Sequence, residues 1–145
     1  MSKLGCIFLW TCAASVVLSV AALTYLMFFE PPFLSYPGLP FKVAAPARPG
    51  ESVQLQVTRC NSDKSKRTYQ LSHTLVSVDT GRYWVLPAGI VSIKPGCASG
   101  VSAANVVPIG TPPGVYVVEG YAEVQGTIRT FDVHWYSEPF RVMSQ

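Results

Sequence analysis

The chain has 145 residues, 49% of them apolar and only 13% charged, with a formal net charge of +3. That length leaves room for one core of ordinary size and no more. Setting Lys3 aside leaves ten Lys or Arg against eight Asp or Glu, a balance that argues against a nucleic-acid partner. The one basic cluster, Arg59, Lys64, Lys66 and Arg67, is interrupted by Asp63 and reads as a solvated loop.

Residues 4–29, LGCIFLWTCAASVVLSVAALTYLMFF, form 26 consecutive positions without a charge. At about 1.5 Å rise per residue such a helix crosses a hydrocarbon core of about 30 Å, and only a helix satisfies its backbone within one segment in lipid. Residues 1–29 are therefore predicted to be a single-pass transmembrane anchor, with the bilayer as partner of residues 4–29. Lys3 precedes the segment and the next positive residue is Lys42, which places the N-terminus in the cytoplasm and the rest in the periplasm or outside the cell. The rival reading is a cleaved signal peptide ending near Ser19-Val20-Ala21. The apolar run continues through Phe28 and Phe29, which favours an uncleaved anchor. Cys12, Ser15, Ser19 and Ala22 recur at three- and four-residue steps, a small-residue face along which a second helix, including that of another copy, can approach.

Residues 30–50 carry six prolines, EPPFLSYPGLPFKVAAPARPG. Proline fixes φ and removes a donor, so this stretch is predicted to be an extended, stiff linker holding the domain off the membrane. Phe33, Tyr36 and Phe41 are apolar enough to meet lipid or the domain, and residues 39–43 fit a short edge strand.

Beyond Gly50 the apolar period becomes two: Val53, Leu55 and Val57 alternate with polar residues. Further strand-like runs lie at about 67–78, 82–86, 90–94, 101–107, 115–124, 127–136 and 140–143. Turn sequences separate them, among them Asp79-Thr80-Gly81, Pro87-Ala88-Gly89, Lys94-Pro95-Gly96 and Pro112-Pro113-Gly114. Residues 51–145 are thus predicted to be one all-β domain, an antiparallel β-sandwich of seven or eight strands. Ile93-Lys94-Pro95-Gly96, then Val106-Val107-Pro108, then Pro112-Pro113-Gly114-Val115-Tyr116 with Gly120 after it resembles the later strands of bacterial immunoglobulin-like modules of the fibronectin type III and CARDB kind. The resemblance implies an Ig-like fold in which Gly114 turns the chain and Tyr116 enters the core. In its whole layout the chain is also similar to small membrane-anchored proteins of bacteriophage and prophage sequences.

Cys60 ends the first clear strand and Cys97 follows the Lys94-Pro95-Gly96 turn. In an oxidising compartment they are expected to pair, closing a loop of about 37 residues worth roughly 4 kcal/mol. Val118, not a cysteine, stands two residues after Tyr116, so this is not the inter-sheet bridge of antibody domains. His73 and His134 each lie within a strand-like run, neither near a second ligand at metal spacing. Neither a phosphate loop nor a nucleophile elbow is present, so no metal, cofactor or catalytic residue is assigned. If Val118, Gly120, Ala122, Val133 and Trp135 face the core, the opposite face presents Tyr121, His134 and Tyr136 as a candidate protein contact. The expectation is a membrane-tethered, non-catalytic binding or structural module with a protein partner. The alternatives are an accessory subunit of a membrane enzyme complex and a phage-encoded envelope protein that modifies the host membrane.

Overall fold

A computed structural model describes residues 3–29, 32–126 and 130–144. Glu30, the expected start of the linker, and Thr127, the expected start of a strand, lie outside the described residues. Helix α1 (Lys3–Phe28) covers the uncharged run. At about 1.5 Å per residue it is roughly 39 Å long, and residues 10–28 alone are long and apolar enough to cross a membrane. Ser15, Ser19 and Thr24 donate their hydroxyl protons back to carbonyls of their own helix, at 2.9, 2.8 and 2.8 Å. That leaves an apolar cylinder with these three hydroxyls satisfied within the helix, as lipid demands.

The rest of the described chain is mostly strand: β1 (Leu34–Ser35), β2 (Lys42–Val43), β3 (Ser52–Asn61), β4 (Arg67–Ser77), β5 (Tyr83–Ile93), β6 (Gly96–Val106), β7 (Gly114–Gln125), β8 (Thr130–Tyr136) and β9 (Phe140–Val142). They form two antiparallel sheets. In one, β3 has β6 along one edge and the short β1 and β2 along the other. In the second, the order is β5, β4, β7, then β8, with β9 beside the start of β7. The inner residues of β3, β4 and β7, including Val53, Leu55, Leu71, Leu75, Val118 and Val124, make the core between them.

Two sequence expectations are corrected. Pro87-Ala88-Gly89 does not separate two strands: β5 runs through it, and the register shifts opposite Leu71 and His73. Proline is tolerated there because β5 is an edge strand, paired only with β4, and the bulge absorbs a residue without a donor. The proline-rich segment, expected as an extended, stiff linker whose Phe33, Tyr36 and Phe41 meet lipid or the domain, is built into the domain. Leu34, Tyr36, Phe41 and Ala47 are buried in the core. Its backbone amides at Phe41 and Ala47 donate to Tyr136 and Arg141 of the second sheet at 2.9 and 3.1 Å, while β1 and β2 pair with β3 of the first. Residues 33–47 therefore form a strap that joins the two sheets along one side. Proline excludes a central strand but not an extended edge, and the apolar side chains between the prolines supply the burial that fixes it.

The other side is different. There the edges are β5 and β6, and the inward positions of β6 opposite Arg59, Val57 and Leu55 are Ala98, Gly100 and Ser102. Such small side chains do not fill the space between the sheets, and the sandwich stays open along this side.

Candidate functional site

On β7 the strand alternation sends Tyr116, Val118, Gly120, Ala122 and Val124 inward and Glu119, Tyr121 and Glu123 outward. On β8 it buries Trp135 and exposes His134 and Tyr136. Antiparallel pairing then sets Tyr121 opposite His134 and Glu119 opposite Tyr136, with the Tyr121 and His134 rings 6.1 Å apart. Thr74 of β4 lies on the far side of Glu119. The three residues singled out from sequence thus share one shallow depression of about 420 Å³ on the outer face of the second sheet. Tyr121 and Tyr136 are 45% and 48% exposed. Two phenol rings, an imidazole and a carboxylate offer flat apolar area with hydrogen-bonding rims, the composition of a protein contact.

Cys60 and Cys97 are directly opposite each other on β3 and β6 and form a disulfide closing 37 residues. It ties two neighbours of one sheet and not the two sheets to each other. Cys12, Ser15, Ser19 and Ala22 are all exposed along α1, Ser15 and Ser19 with their hydroxyls already bonded to the helix. The basic cluster is split. Lys64 and Lys66 are exposed, and Arg67 pairs with Asp63 in a loop held by Asn61, whose amide donates to the Ser65 and Ile93 carbonyls at 2.9 and 3.1 Å. Arg59 is not in this loop: it lies on the inward face of β3, half-buried.

Arg59 leads to a feature that sequence reading missed. Between the sheets lies a cavity of about 120 Å³ whose walls include Leu55, Leu71 and Val91 and whose polar lining is Arg59, Tyr36, His73, Trp135 and Ser102. Tyr36, His73 and Trp135 are 8%, 5% and 5% exposed. The Tyr36 hydroxyl, His73 Nδ1 and Trp135 Nε1 have no hydrogen-bond partner among the described residues. Their rings pack together with Phe41: His73 and Trp135 centroids are 5.2 Å apart, Phe41 and Trp135 5.6 Å, Tyr36 and Trp135 6.3 Å. Burial and then the Arg59 cation hold the His73 imidazole below its ordinary pKa. Burial pushes the Tyr36 phenol up to about 12, against the opposing pull of Arg59. The signal was strand parity. Arg59 follows Val53, Leu55 and Val57 in steps of two, and His73 lies between Leu71 and Leu75 in the same way, so both belong to inward faces.

No protein-family model and no curated protein matches the sequence. Several solved structures are similar at low identity. An alkylpurine DNA glycosylase of Pseudomonas fluorescens bound to DNA is 18% identical, with a TM-score of 0.42, over 84% of this chain and 33% of that one. Red sea bream transglutaminase is 12% identical, with a TM-score of 0.45, over 80% of this chain and 17% of that one. A family 123 glycoside hydrolase of Clostridium perfringens is 12% identical, with a TM-score of 0.42, over 72% and 23%. The chain spans a third or less of each of these proteins, and none of the three likenesses bears on its activity.

Proposed function

We propose that the chain is a membrane-tethered, non-catalytic immunoglobulin-like module on the outer side of the membrane, engaging a protein partner through the exposed face of β7 and β8. The observation that carries the partner reading is the convergence of Tyr121, His134 and Tyr136 around Glu119 on an outward sheet face. The strand arrangement supports the Ig-like part. Taking β3, β4, β6, β7 and β8 as strands B, C, E, F and G puts B with E in one sheet and C with F and G in the other, as in immunoglobulin sandwiches. The Tyr116 hydroxyl donates to the Pro112 carbonyl at 2.8 Å, the bond of a tyrosine corner at the start of strand F. The apolar helix and the Cys60–Cys97 disulfide support the outer location, since disulfides persist in oxidising compartments.

The test is site-specific photocrosslinking in intact cells, with the photoreactive residue at Tyr121 and, as control, at Gln54 on the outer face of the other sheet. A discrete adduct from Tyr121 alone supports the partner reading; equal diffuse labelling from both positions defeats it. Co-purification of the adduct partner in fixed stoichiometry identifies an accessory subunit. In a Cys6→Ser, Cys12→Ser background, a membrane-impermeant thiol reagent should label Cys97 only after reduction. Labelling that requires lysis and ignores reductant places the domain inside.

A further inference from the structure

The inter-sheet cavity serves no role in that reading, yet its lining is unlike ordinary core. Protein interiors keep few voids and leave few buried polar atoms unpaired. Here three more than nine-tenths buried side chains, Tyr36, His73 and Trp135, each hold an unpartnered polar atom around one space. The indole N–H is a donor only, the phenol is a donor or acceptor, and the Arg59 guanidinium adds up to five donors and a positive charge. Arg59 borders the cavity and also a second groove of about 380 Å³ along the inner face of β6, lined by Lys94 as well. Neither space has an Asp or Glu in its lining, and among the described residues no carboxylate pairs with Arg59. Apart from Ser102 of β6, the remaining wall is apolar, with Leu55, Leu71 and Val91. Water alone would meet the donors and leave that wall facing solvent.

A ligand with an acid group and a compact apolar body meets both. We propose that the cavity is a binding site for a small organic carboxylate. Its acid group lies on the Arg59 guanidinium with donors from Trp135 and Tyr36, and its apolar body lies against Leu55, Leu71 and Val91. A volume of about 120 Å³ is below the about 150 Å³ of an engineered apolar cavity that takes up benzene, so a ring is held there with its acid group at the mouth, where Arg59 also borders the adjoining groove that gives entry from the open side. Guanidinium is suited to this task because its planar fork matches a carboxylate bidentately and is always charged. Gly120 is part of the construction: it leaves the Trp135 ring room to lie over the strand, within reach of His73 from the opposite neighbour.

The test is calorimetric titration of the full chain in lipid nanodiscs, with empty discs subtracted, using benzoate, its neutral isostere benzamide, and acetate as an acid group without a body. Saturable benzoate binding is expected, with benzamide and acetate about tenfold or more weaker. Arg59→Gln should weaken benzoate about tenfold or more, and Arg59→Lys should recover part of the loss. Ser102→Leu, which fills the cavity from β6, should abolish binding while the cooperative unfolding transition of the domain is retained, reporting that the domain has folded. No saturable benzoate binding at millimolar concentration, equal binding of benzoate and benzamide, or full affinity in Arg59→Gln would each overturn the proposal and leave a cavity that holds only water. None of these measurements depends on the outer face of β7 and β8, so the protein-partner reading stands or falls separately.

Discussion

Gly120 lies directly between His73 on β4 and Trp135 on β8, its Cα partners in the two ladders. With no side chain of its own it lets the indole cover it, and a Cβ built there would sit 2.4 Å from two Trp135 ring atoms. Gly120→Ala is therefore expected to displace Trp135 and cost about 1–3 kcal/mol as an overpacked site, read as a lower Tm and a shifted tryptophan emission. His73 makes the same layer sensitive to pH. Its folded pKa is held below the unfolded value of about 6.5 by burial and by Arg59. As pH falls, the unfolded chain takes up the proton first, so the native state loses stability. This contribution is fully present above about pH 6.5 and is lost as pH drops through that value toward the lower folded pKa. Denaturant unfolding at about pH 7.5 and about pH 5 should show the loss, and His73→Phe should flatten it; an unchanged slope in the variant would assign the loss to other groups.

At the scale of elements, the strap of residues 33–47 is the piece that sequence patterning misjudged. Val53, Leu55 and Val57 made β3 legible because a half-buried strand must alternate, and the same rule placed Tyr116 and Trp135 inside and Tyr121 and His134 outside. The strap shows no period. Its burial depends on Phe41 reaching the Trp135 ring and on amides meeting β8 and β9, contacts about 95 residues away along the chain that no local rule exposes. The cavity was hidden for a related reason: each wall was readable by parity, but parity does not show that β6 brings only the small Ser102 to the cavity, and Ala98 and Gly100 to the groove beside it. Two outcomes follow for the strap. Phe41→Ala should cost about 3–5 kcal/mol as a large-to-small core substitution. A domain beginning at residue 51 should unfold at much lower denaturant than one beginning at Phe33; equal midpoints would return the strap to the status of linker.

Over the whole molecule, stability is divided between the strap on one side and the disulfide toward the other. Cys60 and Cys97 join β3 to β6, the strand whose small inner residues Ala98 and Gly100 are exposed. Replacing both with serine should cost about 4 kcal/mol by chain entropy, and the open side should lose amide protection before the strap side in hydrogen exchange. The strap also fixes how far the module reaches. Helix α1 ends at Phe28 and the folded domain already begins around Phe33, so four residues, or five Cα-to-Cα steps, separate them. Fully extended, five such steps span about 18 Å, and a domain of this size has a radius of gyration of only about 13 Å. With the helix in a bilayer, the whole module is confined to a layer on the order of 50 Å deep. It is a short leash: on the proposed reading, a partner bound at Tyr121 and His134 would have to come to the membrane surface, because the domain could not go out to meet it.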